Sequence, residues 1–465
     1  MGTELWRRSA LELAAMIRAR EVTSREVVAD HLDRAEACNG RVNAIVESFP
    51  DRSLAWADEA DAALARGETL STFHGVPFTI KVNLDFAGSA THEGSEALSG
   101  LVAESDAPVV ARMRSAGAIP VGRTNMPDLG LRLTTESSLF GATHNPWDRT
   151  RTAAGSSGGE AAAIASGLSP IGLGNDIGGS LRNPAYACGI ASLKPGFARV
   201  PGVNATAPVA PTLASQLMLV NGVLARRVAD VRAGFEAVMG SHPSDPQAVD
   251  APLVGRPWAR RIGIVAEPAG GSTHPAVAEG VRSAGRALEQ AGYEVDEIEP
   301  PRLIETYLAW QQLLIGDLSV MRPLLDAVIG EDGRRFLDLA DDGAAAPDAE
   351  TALAMHQTRF EIAAAWQAMF ADYAAIVGPT WTQPPFRLGY DIESKANADS
   401  VLEMIRFVLP ANVLGLPAAC VPTGVTDGLP VGAQVIGPRL REDICLDVAE
   451  AVESRLGTFT PIDPR

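Results

Sequence analysis

What is scarce in this chain narrows its function before any motif is read. No stretch of about 18 uncharged apolar residues occurs, so no membrane-spanning helix is expected. Lys/Arg-rich runs are missing too. The 57 acidic residues outnumber the 39 basic ones, for a formal net charge of −18. Binding a phosphate backbone needs clustered basic groups, so nucleic acid is not an expected partner. An acidic balance bears on solubility and says little about fold. Cysteine is limited to Cys38, Cys188, Cys420 and Cys445, far apart and with no C-x-x-C pair. That spacing fits free, mostly buried thiols in a reducing compartment. The seven histidines show neither i, i+4 spacing nor proximity to the cysteines, so no metal site is expected. The opening segment, MGTELWRRSALELAAMIRAR, breaks every apolar run with charge and lacks the apolar core of a signal peptide. A cytoplasmic protein is the expectation.

What is present reads as an ordinary globular chain: 465 residues, 46% hydrophobic and 21% charged. Ser9–Glu12 and Thr23–Glu26 both have the form of a capping box opening a helix. VNAIVES (42–48) predicts a strand and residues 51–66 an Ala-rich helix. GVPFTIKVN predicts a short apolar strand ending at Lys81. DAPVVARMRSAGAIPVGRTN predicts helix, Gly turn and strand; EAAAIASG predicts a helix of small residues. Residues 260–299 alternate strand, helix, strand. Residues 303–372 read as mostly helical, with a loop at 341–348. YAAIVGPTW, LPAACVPTG and GLPVGAQVIGP predict strands, and 442–455 a closing helix. Such alternation argues for one α/β domain around a large mixed sheet covered by helices on both faces.

The stretch GSSGG at 155–159 admits three readings. A flexible linker belongs in polar, low-complexity surroundings, which the flanking helix and NPWD turn are not. A phosphate loop needs a following Lys, whereas Glu160 follows here. A nucleophile elbow of the G-x-S-x-G type, centred on Ser157, fits the letters. It requires a preceding strand, and NPWDRTRTAA is polar and turn-like; it also requires a later histidine, and His242, His274 and His356 stand in no suitable context. An esterase using Ser157 therefore remains the alternative reading.

A serine nucleophile needs a base for its proton and donors for the developing oxyanion. A lysine can be that base when burial lowers its pKa. Lys81 ends an apolar strand, and Ser180 follows two glycines in GNDIGGSLR (174–182). There the amides of Ile177, Gly178, Gly179 and Ser180 can converge as an oxyanion nest. Taken alone, these pieces read better as ordinary structure: a strand-end lysine reaching solvent and a tight turn with a polar tip.

Together they resemble the amidase signature family of Ser-cisSer-Lys hydrolases. The family's GVP…KD, GGSSGG and G[ST]D[TI]GGS[IL]R blocks correspond to residues 75–82, 154–159 and 174–182. GRTNMPDLG…TTESSLFGATHNPWD, CGIASLKP and LPANVLGLPAACVPTG…GLPVGAQVIG follow in family order. The resemblance implies one amidase domain over 1–465. Residues 1–70 would be its helical scaffold and 71–230 its catalytic core. Residues 231–375 would shape the substrate pocket, and 376–465 would supply C-terminal core strands and a helix. It implies Lys81 as base, Ser180 as nucleophile and Ser156, at a cis peptide, as proton relay. Asp176, Arg182 and Ser157 would support the site. The implied reaction is hydrolysis of a linear or cyclic amide C–N bond through an acyl-enzyme, with esters as a side activity and no cofactor. The partners are a small-molecule amide and water, with a homodimer as a candidate assembly. Ala154, Val82-Asn83 and Asn175 depart from the family pattern without removing a catalytic atom. Asn175 and PDLGLRLTTE resemble the branch that includes 6-aminohexanoate-cyclic-dimer hydrolase. By the same resemblance Gly130 and Leu131 lie near substrate, with Arg132 adjacent. Arg132 reads either as a receptor for a carboxylate or other polar acyl group or as a solvated surface residue. Trp310, Met321, Trp381 and Ile405 read either as shaping an apolar pocket or as core, and core is the favoured reading. The A-type chain of a tRNA-dependent amidotransferase shares the triad and is a second alternative; DLGLRLTT in place of that chain's DEFAMGSS-like block disfavours it.

Overall fold

Both capping boxes form. Ser9 accepts the Glu12 amide and Thr23 that of Glu26, opening the helices Ala10–Arg18 and Ser24–Val42. Each box pairs amides that a helix start leaves without partners. The computed structural model describes residues 4–207, 209–341 and 348–465. Of the loop expected at 341–348, residues 342–347 lie outside the described residues. The second helix continues through Val42, so the strand anticipated from there begins only at Ile45.

Thirteen strands occur among the described residues: β1 (Ile45–Ser48), β2 (Pro77–Lys81), β3 (Ile119–Thr124), β4 (Glu136–Ser137), β5 (Gly141–Ala142), β6 (Ile171–Asp176), β7 (Ala191–Lys194), β8 (Val220–Ala225), β9 (Arg261–Ile264), β10 (Glu294–Glu297), β11 (Ala375–Pro379), β12 (Ala418–Thr426) and β13 (Leu429–Ile436). β4 and β5 form a separate ribbon. The other eleven make one sheet in the order β1-β3-β2-β6-β8-β7-β12-β13-β11-β9-β10. β2 runs parallel to β3 and β6, and β9 parallel to β10 and β11. The remaining neighbours are antiparallel. β12 and β13 close through Asp427-Gly428, both at positive φ (52° and 79°), the two-residue turn whose twist suits a hairpin.

Side-chain alternation along the strands builds a core on each face. Val223 and Ala225 of β8, Ala419 and Val421 of β12, and Val377 of β11 join one cluster. It includes Ile444, Leu446 and Val448 of the closing helix Glu442–Leu456. Leu224, Ala418, Cys420 and Ile376 point the other way, toward the helices Gly158–Ala165 and Leu303–Val328. The sheet is therefore mixed and helix-covered on both faces. The cysteines are free and buried. Among the described residues no helix is long and apolar enough to cross a membrane, and no cluster of metal-ligating side chains forms.

Candidate active site

The parallel pairing of β2 and β6 sets their C-terminal ends side by side, where sheets of this kind carry their sites. Lys81 is the last residue of β2 and Asp176 the last of β6. On β2, Phe78 and Ile80 enter one core, so Thr79 and Lys81 face the opposite side, toward the helix Gly158–Ala165. That helix carries GSSGG at its start, with Ser157 as N-cap residue. It is a helix of small residues because it packs directly on the sheet. A Cβ at Gly172 of β6 would fall on Glu160 Oε1, and one at Gly174 would stand 2.8 Å from Ser157 Oγ.

Lys81 Nζ donates to Ser156 Oγ at 2.7 Å and to Asn175 Oδ1 at 2.7 Å. The lysine is fully buried. Burial lowers its pKa to about 7, against the opposing pull of Glu93, Asp176 and Glu160. Glu160 accepts hydrogen bonds from Thr79 and Thr124 (2.7 Å to Thr124), and its own burial raises its carboxyl to about 7. The Gly155–Ser156 peptide is cis. Ser157 donates its amide to Ser180 O at 3.3 Å, tying the two loops together.

Ser180 lies in the turn between β6 and the helix Arg182–Cys188. Its hydroxyl has no hydrogen-bond partner among the described residues, and it lines a cavity of about 270 Å³. Asp176 shapes the turn. Its Oδ1 accepts the Gly179 amide (2.8 Å) and Asn412 Nδ2 (2.8 Å), and its Oδ2 accepts the Leu181 amide (3.2 Å). Arg182 closes on both oxygens, at 3.0 and 3.1 Å, and also reaches Val408 O, Gln434 Oε1 and Asn412 Oδ1. Burial works against ionising Asp176. The Arg182 charge and hydrogen bonds, with Lys194 and Asn412, outweigh it and hold the carboxyl well below the usual range. Of the four amides expected to converge, that of Gly179 is thus committed to Asp176. Those of Ile177, Gly178 and Ser180 have no partner among the described residues.

Other expected site residues fall differently. Gly130 and Leu131 line the Ser180 cavity, and a Cβ at Gly130 would stand 3.2 Å from Ser156 Oγ. Arg132 does not line it. Its guanidinium forms a bidentate pair with buried Asp391 (2.8 and 2.9 Å), with Glu136 at 3.6 Å and Asp332 at 3.5 Å. Nor is it a solvated surface residue, being buried. Ser157 is buried beneath the loop. Its hydroxyl points at Asn175 O (3.5 Å), and no histidine bonds to it among the described residues. Trp381 and Ile405 are core, as expected. Trp310, itself buried, and half-buried Met321 line the cavity, so for these two the pocket reading holds over the favoured core reading. Trp310 caps the turn, donating Nε1–H to Ile177 O at 3.2 Å. Sequence reading missed the Lys81–Asn175 contact; its one signal was the departure from Ser/Thr in the motif.

Comparison with known proteins places the chain in a family. A family profile described as Amidase matches residues 26–446. The chain is 39% identical to indoleacetamide hydrolase of Bradyrhizobium diazoefficiens over 459 residues, spanning 98% of this chain and 88% of that one. It is 32% identical to the A-type chain of the glutamyl-tRNA(Gln) amidotransferase of Salinispora arenicola over 496 residues, 99% of each chain. A solved structure of 6-aminohexanoate cyclic dimer hydrolase complexed with substrate is similar at a TM-score of 0.86 and 25% identity, covering 100% of this chain and 99% of that one. The chain belongs to the amidase family. It is an enzyme that hydrolyses amide C–N bonds.

Proposed function

We propose that the enzyme hydrolyses the amide of an apolar, arylacetic-type acid through an acyl-enzyme on Ser180. The observation that carries this is Lys81 Nζ, buried and 2.7 Å from Ser156 Oγ, beside a mostly apolar cavity that Ser180 lines. Neutral Lys81 takes a proton from Ser156 as Ser156 takes one from Ser180. The Ser180 oxygen attacks the amide carbon. The amides of Ile177, Gly178 and Ser180 hold the oxyanion. The relay then runs backward and protonates the departing nitrogen, so ammonia or an amine leaves as the C–N bond breaks. Water repeats the path on the ester and frees the acid. Substrate size follows from the walls: Leu131, Trp310, Leu314, Met321 and Phe336 suit a bicyclic ring such as that of indoleacetamide, which the similar Bradyrhizobium enzyme is named for.

An amidotransferase component is the second reading, favoured by the 32% identity to the Salinispora chain. Glutamine presents an α-carboxylate, and no Lys, Arg or His lines this cavity among the described residues. The test assays the purified chain on arylacetamides, anilides, cyclic amides, esters and glutamine, with Ser180→Ala as control. Arylacetamide hydrolysis that Ser180→Ala loses supports the proposal. Hydrolysis of glutamine alone favours the amidotransferase, and activity kept in Ser180→Ala but lost in Ser157→Ala favours the elbow.

A further inference from the structure

The Ser180 cavity is apolar along most of its wall, but one charge breaks it. Helix Leu303–Val328 presents Trp310, Gln311, Leu314, Ile315, Leu318 and Met321 to the cavity at helical spacing, and Asp317 with them. Asp317 Oδ2 accepts the Ala214 amide at 2.6 Å. Its other oxygen has no partner among the described residues, and no salt bridge reaches it there. Among the described residues no cation lines the cavity to balance it. The neighbouring polar groups are turned elsewhere: Gln311 donates Nε2–H to Tyr307 Oη (2.9 Å), and Thr212 Oγ1 donates to Ser215 Oγ (3.1 Å). Gln311 Oε1 is left as a second acceptor. Gln311 Nε2 and the Ser215 hydroxyl each keep a hydrogen undonated among the described residues as well, so the charge on Asp317 is what distinguishes this polar corner.

We propose that Asp317 determines which amides the cavity accepts: it takes a hydrogen-bond donor on the far arm of the acyl group and rejects arms that carry a carboxylate. This rests on the reading of Ser180 as the acylated residue. A donor such as a ring N–H, hydroxyl or ammonium satisfies the free oxygen. An arm without a donor buries that oxygen unpaired, and a carboxylate arm sets two like charges together away from water. Asp317 is half-buried in the free enzyme, and an acyl arm filling the cavity covers its free oxygen; a site with such an acceptor discriminates more sharply than an apolar pocket does.

The test measures kcat/KM on four amides: indole-3-acetamide, its 1-methyl derivative, 1-naphthaleneacetamide and the monoamide of a dicarboxylic acid. Wild type should favour indole-3-acetamide over the 1-methyl compound about tenfold or more, mainly through KM. Asp317→Leu should erase that preference, chiefly by raising kcat/KM on the 1-methyl compound and on 1-naphthaleneacetamide about tenfold, because neither any longer covers an unpaired carboxylate oxygen. Asp317→Asn keeps an acceptor for Ala214 and guards against loss of fold. It should raise activity on the acidic monoamide about tenfold or more, because only the charge is gone. The proposal is overturned if wild type treats indole-3-acetamide and its methyl derivative alike. It is also overturned if either variant discriminates as wild type does while hydrolysing 1-naphthaleneacetamide. Wild-type activity that survives in Ser180→Ala, or no hydrolysis of any of the four, instead removes the reading beneath it, and the proposal with it.

Discussion

In the proposed mechanism the chemistry at Lys81 turns on one proton. With its pKa brought down by burial to about 7, the neutral amine that accepts from Ser156 predominates above that pH. Below it the ammonium has no lone pair, so kcat/KM should fall about tenfold per pH unit on the acid side. Asn175 orients this amine without charging its surroundings: its carbonyl oxygen accepts one N–H at 2.7 Å, and in the proposed neutral form the lone pair turns to Ser156. Asn175→Asp would place a carboxylate against the ammonium and favour the protonated form. The acid limb of the pH profile should then move up by about one unit or more; an unmoved limb would show that Lys81 is not the titrating base. Lys81, Ser156 and Ser180 stand out in the sequence because three spaced blocks carry them. Asn175 does not, because a changed motif letter says nothing of what its side chain touches. Arg132 misleads for a similar reason. Its charge is visible in the sequence, but Asp391, 259 positions away, holds it, and long-range pairing leaves no local signal.

Among the elements, the parallel neighbours β2 and β6 assemble the site, and the small helix Gly158–Ala165 brings GSSGG onto them. That packing depends on bare backbone in β6. Gly172→Ala would drive a methyl into the Glu160 carboxyl and disturb its bonds to Thr79 and Thr124. The expected cost is about 1–3 kcal/mol in chemical denaturation. Stability equal to wild type would mean that the helix can shift outward freely. Strands with a clear apolar run, such as β2, β11, β12 and β13, are legible from composition. β7 and β8 are not: ASLK ends in a buried lysine and VNGVLA carries Asn221 and Gly222, so neither shows the run or alternation that marks a strand. The long helix Leu303–Val328 is legible as a helix, but its apolar faces serve both core and cavity. Residue type does not separate the two, which is why core is the favoured reading of Trp310 and Met321 over the pocket.

Across the whole molecule, the middle of the chain and its closing helix are joined through buried charge. Glu442, at the start of the closing helix, accepts the Gly196 amide (2.9 Å) and pairs with Arg199 at 3.2 Å, both side chains wholly buried. Removing one partner strands the other charge away from water. Glu442→Ala should therefore cost about 3–5 kcal/mol in urea denaturation, far more than an exposed pair such as Arg25–Asp58. A loss no larger than for Asp58→Ala would contradict that account. The central claim concerns one hydroxyl, and labelling with a fluorophosphonate probe tests it directly, with tandem mass spectrometry to locate the adduct. The adduct is predicted on Ser180, absent from Ser180→Ala and slowed in Lys81→Ala. An adduct on Ser157, or labelling of Ser180→Ala at the wild-type rate, would contradict it.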